Sequence, residues 1–279
     1  MAAKKAAEFF KTKPEYIGGR YDGYHIKDGE GRVWNIVSDG SIDPQKKEKG
    51  EIVPANDTYK VELVSPVLNY NDIESLQELV RKLRKAGMVV NKSCGIHIHI
   101  DGANHTPLSL KNLVNLIASK EELLYKSLEI DPERLRYCKK VNEKLLGTIN
   151  KKKPKTLEEL ADIWYQDYGS ESRERHYHRS RYHGLNLHSI FDKGTVEFRL
   201  FNSTTHAGKI KAYIQFCLAV SHQAIRQKSA SSKRTTTDNE KYTFRCWMLR
   251  LGLIGKEFET CRHHFLANLE GNPAWRHTA

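Results

Sequence analysis

The sequence has no long hydrophobic run. Its longest apolar stretches, such as residues 113–117, are far shorter than the roughly 20 residues that a membrane-spanning helix needs. Two lysines near the start, Lys4 and Lys5, are not followed by the apolar segment that a signal peptide requires. We therefore expect no membrane partner and a cytoplasmic location.

Paired cysteines are missing as well. The five cysteines are an odd number, are scattered along the chain and include no Cys-x-x-Cys pair. They are Cys94, Cys138, Cys217, Cys246 and Cys261. This pattern is typical of reduced thiols, and it argues against a disulfide framework and against a zinc knuckle.

Positive charge, in contrast, is abundant. The 279 residues include 46 Lys+Arg and 34 Asp+Glu, a net charge of +12, and the 39% of hydrophobic residues exclude a wholly disordered chain. A basic chain can bind nucleic acid, but a cleft for nucleotides or other anionic small molecules needs the same charge. Because no DNA- or RNA-binding motif accompanies the lysine runs, we do not expect nucleic acid as a partner.

Local patterns divide the chain into three parts. Residues 228–240 contain no core-forming residue and predict a flexible linker. The linker separates a main domain, residues 1–227, from a C-terminal helical segment, residues 241–279.

The main domain alternates predicted strands with helices. Its strands are predicted at residues 61–65, 96–101, 185–190 and 195–201. Asn71 and Glu74 have the spacing of a capping box and predict the start of one helix. Strands joined by short loops, with helices between them, indicate an α+β fold with a largely antiparallel sheet.

The strongest local motif is Cys-Gly-Ile-His-Ile-His-Ile-Asp at residues 94–101. In a strand, His97, His99 and Asp101 lie on one face, while the isoleucines between them anchor the other face. Neutral imidazole is a common metal ligand, so the polar face predicts an ion or phosphate site. The alternative interpretation is the polar outer face of an edge strand.

A second motif lies in residues 194–202, where Glu197 and Arg199 share the face opposite to Val196 and Phe198. A carboxylate can hold a hard cation, and a guanidinium two residues away can contact a phosphoryl group on that cation. Taken alone, an ordinary cross-strand ion pair is the simpler interpretation.

Two further features carry candidate residues. Glu62 lies inside the apolar strand 61–65, where an acid has to face solvent or bind a cation. Residues 173–188 are rich in arginine and histidine, and this stretch either binds polyphosphate or forms a mobile basic loop.

In this order and spacing, the motifs resemble those of the putative amidoligase family. This family is a branch of the glutamine synthetase and glutamate–cysteine ligase superfamily of carboxylate–amine ligases. The resemblance covers about residues 15–225. The matching pieces are Trp34 and residues 39–41, 61–66, 94–99, 184–186 and 195–199.

The resemblance implies a curved, mainly antiparallel sheet with helices on one face, as in the catalytic fold of glutamine synthetase. The concave face would bind ATP with Mg²⁺ or Mn²⁺. ATP would phosphorylate the carboxylate of an amino acid or peptide, and an amine would attack the acyl phosphate to give an amide. The motifs leave the carboxylate, the amine and the oligomeric state open.

The resemblance also assigns roles to residues. Glu62, His97 and Glu197 become metal ligands, and Arg199 becomes the catalytic residue that faces the transferred phosphoryl group. His99 is placed near the nucleotide. Weaker assignments as phosphate or substrate contacts fall on Arg179, Arg181 and Asn186. We expect Glu62, His97 and Glu197 to converge on one concave face, and Arg179 or Arg181 to reach the cleft with His99.

One departure from the family pattern concerns the start of the chain. Relatives open with a strand that carries Glu-x-Glu and supplies further metal ligands, and no such strand precedes Trp34. We therefore expect either a truncated start or the loss of a cation site.

Two other functions stay open at this point. The missing Glu-x-Glu and the charge of +12 favour a non-catalytic, basic nucleic-acid- or peptide-binding protein that retains the ligase fold. A zinc hydrolase that uses His97, His99 and Glu197 is a third interpretation, but the chain has no recognisable metalloprotease helix motif.

Overall fold

The computed structural model describes residues 1–19 and 22–276, which form two compact units. The first unit comprises Met1–Cys94 and Ser203–Lys211, and the second comprises Gly95–Asn202 and the residues from Ala212 onward. The predicted C-terminal segment, residues 241–279, therefore belongs to the same unit as residues 95–202.

The first unit contains a four-stranded antiparallel sheet in the order β1, β2, β3, β6. These strands are β1 (Glu15–Gly18), β2 (Gly23–Lys27), β3 (Val33–Ser38) and β6 (Val61–Val64). A hairpin of β4 (Gln45–Glu48) and β5 (Glu51–Pro54) separates β3 from β6 in the chain. Two helices, α1 (Ala2–Phe10) and α2 (Ile73–Lys85), complete the unit.

Alternation along the strands decides which face of this sheet meets the helices. Trp34 and Ile36 are buried in one cluster with alanines of α1 and leucines of α2, and Leu63 packs against the same cluster. Glu62, the residue before Leu63, is exposed on the opposite face of β6. Glu62 therefore lies on the face of this sheet opposite to α1 and α2.

The second unit contains a three-stranded antiparallel sheet in the order β7, β9, β8. Its strands are β7 (Gly95–Asp101), β8 (Leu185–Asn186) and β9 (Thr195–Asn202). The other helices are α3 (Pro107–Ser127), α4 (Glu143–Lys152), α5 (Leu157–Tyr165), α6 (His188–Lys193), α7 (Ala207–Arg226), α8 (Glu240–Arg250) and α9 (Glu259–Leu266). Helix α7 begins in the first unit and continues into the second.

The central strand of the second sheet, β9, is buried on both faces. Its apolar residues join α3 and α7 in one large core, and Phe201 stacks on Tyr213 with ring centroids 4.4 Å apart. The isoleucines of β7 pack against this core, as their alternation predicted. Among the described residues, no helix combines the length and the apolar composition needed to cross a membrane.

The predicted α+β class and the antiparallel pairing are confirmed. The strands of the described residues form three sheets, where a single curved sheet was expected. The prediction of a strand over residues 185–190 was wrong beyond Asn186. There the side chain of Asn186 accepts the N–H of His188 at 2.9 Å, and this bond starts helix α6.

The predicted cap of α2 was also displaced, by two residues. A capping box is present, but it joins Asn69 to Asp72 instead of Asn71 to Glu74. The short 3₁₀ turn Tyr70–Asp72 precedes the helix, so the first exposed N–H groups belong to that turn.

That residues 228–240 form a flexible linker stays a prediction. The segment contains no helix or strand before Glu240. Its backbone is hydrogen-bonded to α3, because Asn115 donates to the carbonyl of Ala230 at 2.9 Å and Thr235 donates to the carbonyl of Ser119 at 2.9 Å.

Candidate active site

The candidate site lies on the polar face of β7 in the second unit. His97, His99 and Asp101 are more exposed than the isoleucines between them, in agreement with the predicted alternation. The central strand β9 pairs with β7 and places Glu197 directly opposite His99. The two motifs found in the sequence therefore meet across one pair of strands.

A β-bulge shapes the strand pair at this point. The residues on either side of His97 pair regularly with β9, but two residues of β9, Arg199 and Leu200, lie opposite His97 alone. A bulge bends the strand and changes the direction of its side chains. Arg199 therefore leaves the regular ladder at the position where its side chain reaches the site.

Four side chains converge on the carboxylate of Glu197, which is only 4% exposed. Arg199 donates from Nη1 to Oε1 at 2.6 Å, and Asn186 donates from Nδ2 to Oε2 at 2.6 Å. His97 Nδ1 lies 3.6 Å and His99 Nε2 lies 3.7 Å from the same Oε1. We call these five residues the Glu197 cluster.

The cluster sets the protonation states of its members. Burial alone would raise the pKa of Glu197, but Arg199, the two imidazoles and the Asn186 amide outweigh it and lower the pKa to about 2. Poor hydration of the ring, followed by the charge of Arg199, lowers the pKa of His97 to about 3. Burial also lowers the pKa of His99, although Glu197 opposes this shift. At neutral pH, Glu197 is ionised and both imidazoles are neutral.

Two hydroxyl groups that the sequence analysis missed hold His99. Its Nδ1 lies 2.9 Å from Thr195 Oγ1 and 3.3 Å from Ser189 Oγ, and the two oxygens are 2.8 Å apart. Thr195 comes two residues before Glu197 and shares its face, so strand alternation could have indicated it. No local pattern pointed to Ser189, because it lies in α6, where a strand was predicted.

A second arginine, Arg134, also lies on the polar face and was missed. It belongs to the 3₁₀ turn Pro132–Arg136, is buried, and donates from Nη2 to the carbonyl oxygen of Arg199 at 3.3 Å. Its guanidinium packs against Gly95 at the start of β7. In the sequence, Gly95 is the one feature that could have indicated this contact.

The two loop arginines chosen from the sequence have different surroundings. The positive charge of Arg181 contributes to the lowered pKa values of His97 and His99, so Arg181 acts on the cluster. Arg179 is exposed and donates from Nε to Glu171 Oε2 at 2.7 Å.

A surface cavity of about 660 Å³ lies beside Arg179. Its lining residues are Tyr168, Gly169, Ser170, Glu171, Arg175, Tyr177, Arg179 and Tyr182. The ring of Tyr182 also lies under the guanidinium of Arg199, with Cζ 5.9 Å from the ring centroid. One aromatic ring therefore borders both the cavity and the Glu197 cluster.

Most histidines of the 173–188 stretch are packing residues. His178, His183 and His188 are buried. His188 Nδ1 lies 2.5 Å from the hydroxyl of Tyr165, and the rings of His178 and His188 stack 5.4 Å apart. These three histidines therefore pack in the interior of the second unit.

The predicted metal ligands lie in two different units. His97 and Glu197 meet in the second unit, as described above. Glu62 lies in the first unit, on the face of its sheet opposite to α1 and α2. That Glu62 converges with the other two stays a prediction.

The Glu197 cluster fits a divalent cation only in part. An ionised carboxylate and neutral imidazoles are the protonation states that metal binding needs. Two nitrogen donors suit first-row transition metals better than Mg²⁺, which prefers oxygen, and a cation at Glu197 Oε1 would compete with Arg199. Within residues 1–19 and 22–276, no group of three or more His, Cys, Asp or Glu side chains is arranged to hold a metal ion.

Comparison with known proteins bears on this site. A family model described as "Putative amidoligase enzyme" matches residues 1–221, a range that contains the whole Glu197 cluster. No curated protein and no solved structure matches the chain.

Proposed function

Because the chain belongs to the putative amidoligase family, we propose that it is an ATP-dependent carboxylate–amine ligase that acts through an acyl phosphate. The observation that carries this proposal is the buried ion pair of Glu197 and Arg199 beside two neutral imidazoles. It places a fixed positive charge on the face where the family motifs meet.

The proposed reaction has two steps. An oxygen of the substrate carboxylate bonds to the γ-phosphorus of ATP, and the bond from that phosphorus to the bridging oxygen breaks, so that ADP leaves. The amine nitrogen then bonds to the carbonyl carbon, phosphate leaves with the electrons of the carbon–oxygen bond, and the nitrogen loses a proton to solvent. Both steps develop negative charge on oxygen, which positioned donors stabilise.

The charge states of the cluster suit this chemistry better than proton transfer. A general base works best with a pKa near the working pH, but the pKa values of Glu197 and His97 are about 2 and about 3. Both are therefore weak bases at pH 7. We assign stabilisation of developing charge to Arg199, and orientation of Arg199 to Glu197 with Asn186.

We propose that ATP binds together with Mg²⁺ or Mn²⁺. The cation, when bound, neutralises charge on the phosphate oxygens. Glu197 with His97 would hold it in the second unit. Glu62, in the first unit, is proposed separately as a metal ligand. His99 is proposed to lie near the nucleotide, where Thr195 and Ser189 fix its ring.

We further propose that the phosphates of ATP approach along the arginine-lined cavity. Arg179 lines it, and Arg181 acts on both imidazoles. The volume of about 660 Å³ lies within the range of small-molecule sites. Asn186 donates one of its two Nδ2 hydrogens to Glu197 and accepts the N–H of His188, so we propose that it acts on phosphate or substrate chiefly through Glu197.

ADP release by the full chain tests the proposal. Release should require Mg²⁺ or Mn²⁺ and a carboxylate, drawn from a panel of amino acids and short peptides. Arg199→Ala should lower turnover by about 10²–10³-fold, because it removes one preorganised donor. Arg173→Ala is the control, since that exposed arginine pairs with Asp162 and should leave turnover unchanged.

Hydroxylamine tests the intermediate. With ATP, the carboxylate and no amine, an acyl phosphate should be trapped as a hydroxamate. ATP consumption without hydroxamate would leave an ATPase and remove the acyl phosphate from the mechanism.

Protection from proteolysis separates the ligase from a basic binding protein. ATP with Mg²⁺ should protect residues 173–181, because phosphate would pair with Arg179 and Arg181. DNA or RNA should not, since a nucleic-acid binder needs a continuous basic surface and loses affinity steeply with salt. Equal protection by nucleic acid without a divalent cation would contradict the ligase function.

A further inference from the structure

Gly95 is needed for space and not for its backbone angles. Its φ is not positive, so an L-residue could adopt the same conformation. A Cβ at this position would, however, lie less than 3.0 Å from Nη1, Nη2 and Cζ of Arg134. The Arg134 guanidinium therefore occupies the space that a side chain at residue 95 would fill.

The contact between Arg134 and Gly95 lies on the face that carries the Glu197 cluster. Side chains two residues apart in a strand point the same way, so a Cβ at Gly95 would point to the side of His97. Arg134 therefore covers the end of the row that continues with His97 and His99. The positive charge of Arg134 also lowers the pKa of His97, which agrees with their proximity.

Arg134 also holds the backbone of the β-bulge. The N–H of Arg199 donates to the carbonyl of Gly184 at 2.8 Å, and the carbonyl of Arg199 accepts from Arg134 Nη2 at 3.3 Å. The first bond continues the register of β8 with β9, in which Leu185 lies opposite Phe198. The N–H of Gly184 donates to the carbonyl of Lys139, which leaves the carbonyl of Arg199 to Arg134. Gly184 and Arg134 together hold both backbone polar groups of Arg199.

The turn that carries Arg134 is itself tied to the end of β9. Asn202 Oδ1 accepts the N–H of Asp131 at 3.2 Å, and Asn202 Nδ2 donates to the carbonyl of Glu129 at 2.7 Å. Asp131 Oδ1 accepts the N–H of Glu133 at 2.9 Å and so caps the turn. The turn and the segment before it are thus hydrogen-bonded to β9 at two residues, Arg199 and Asn202.

We propose that Arg134, packed against Gly95, is a positioning residue that fixes the backbone of Arg199 and thereby directs the Arg199 guanidinium. Its importance for catalysis rests on the proposed ligase function. The glycine of the Gly-x-His-x-His motif is then part of the active-site architecture, because only glycine leaves room for this guanidinium.

A double-mutant cycle separates positioning from packing. Gly95→Ala should lower both the unfolding midpoint and turnover, because the new methyl group overlaps the guanidinium. In Gly95→Ala with Arg134→Ala the overlap is gone, so the midpoint should return to that of Arg134→Ala or higher. Turnover of the double variant should stay about 10²-fold below wild type, because Arg199 is misplaced.

Two further variants sharpen the result. Arg134→Lys keeps the charge but lacks the planar fork, so it should fold and still not restore turnover. Arg136→Ala is the control on the same turn, where the guanidinium lies over the ring of Tyr137 and not on Gly95. It should leave both the midpoint and turnover unchanged.

Hydrogen exchange at the Arg199 amide tests the proposal without any turnover. Exchange should be faster in Arg134→Ala than in wild type under conditions where both are folded, and unchanged in Arg136→Ala. Unchanged exchange at Arg199 would overturn the proposal, as would turnover that recovers together with stability in the double variant. A wild type with no ATP-dependent turnover would overturn the ligase function alone, because the exchange result still decides the role of Arg134.

Discussion

Two carboxylates in the second unit are almost completely buried, yet their surroundings shift their pKa values in opposite directions. Burial raises the pKa of both. The pKa of Glu197, in the candidate site, is nevertheless lowered to about 2, whereas the pKa of Glu121, on α3, is raised to about 7. A buried glutamate is therefore ionised at neutral pH in one region and takes up a proton near pH 7 in the other.

The difference lies in the bonds that each carboxylate accepts. Glu197 accepts a guanidinium N–H and an amide N–H, both at 2.6 Å. Glu121 Oε1 accepts the backbone N–H of Val141 at 2.9 Å, while Oε2 has no hydrogen-bond partner among the described residues. Arg234 lies 3.6 Å from Oε2 but donates to Glu143 instead.

The comparison shows that burial does not mark a functional acid. A carboxylate in direct contact with a guanidinium stays ionised and can orient that guanidinium for catalysis. A carboxylate with a cation at 3.6 Å and one unsatisfied oxygen gains a proton near pH 7. Glu121 is therefore a structural group whose charge depends on pH.

The largest effect is expected from Glu197→Gln, which removes the charge and keeps the shape. The Arg199 guanidinium then stays buried without its counter-ion, and the unfolding free energy at pH 7 should fall by about 3–5 kcal/mol. Denaturant unfolding measures this loss. Glu197→Gln combined with Arg199→Met removes both charges and should recover most of the stability. A loss below about 1 kcal/mol in the single variant would put the pair on a par with surface ion pairs.

Glu121 should make stability depend on pH in the opposite sense to an ordinary paired acid. Its pKa is about 7 in the folded chain against 4.5 for the free group. The contribution of Glu121 to the unfolding free energy is therefore fully present below pH 4.5 and is lost as pH rises through 7. The loss amounts to about 3 kcal/mol.

The Glu121→Gln variant is the control for this pH dependence. The difference in unfolding free energy between wild type and this variant should change by the stated amount between pH 4.5 and pH 8. A difference that does not vary with pH would show that Glu121 is ionised throughout.

A smaller effect is expected from Asn186→Ala. It leaves Glu197 Oε2 buried without its amide donor, which should cost about 1–3 kcal/mol of unfolding free energy. Asn186→Asp is the informative companion, because a second carboxylate beside Glu197 should destabilise the chain more at pH 8 than at pH 4. If Asn186→Ala is as stable as wild type, water has replaced the amide.

The smallest effect is expected from Glu62→Gln in the first unit. Because Glu62 is exposed, its charge should change the unfolding free energy by less than about 0.5 kcal/mol. Binding of Mn²⁺, measured by its effect on water relaxation, should weaken if Glu62 is a ligand as proposed. Unchanged Mn²⁺ binding together with unchanged stability would remove Glu62 from the metal assignment.

Strand alternation explains how much of the site was visible in the sequence. His97 and His99 share one face of β7, and Glu197 shares a face with Arg199 on β9, because the period of two is a property of the local chain. The short loops predicted a largely antiparallel sheet, whereas the pairing of β7 with β9 was found only in the structure. The family resemblance then gave these faces a chemical role, and the match over residues 1–221 confirms the family.

What was missed depends on segments that are distant in the chain. Arg134 approaches Gly95 from a turn that has no pattern of its own, and Ser189 lies in a helix that was predicted as a strand. At the start of this helix the Asn186 side chain accepts the backbone N–H of His188, a contact that alternation does not reveal.

Residue order along the chain is enough to determine the α+β class, the polar and apolar faces of β7 and β9, and the candidates Glu197 and Arg199. The charge states of Glu197 and Glu121 were decided only in the folded chain. Both are glutamates in a basic sequence, and they differ by about 1 Å in the distance to an arginine. Because hydrogen bonding and desolvation change steeply over that distance, three-dimensional contacts made one an ionised partner of the candidate catalytic arginine and the other a proton-binding group of the core.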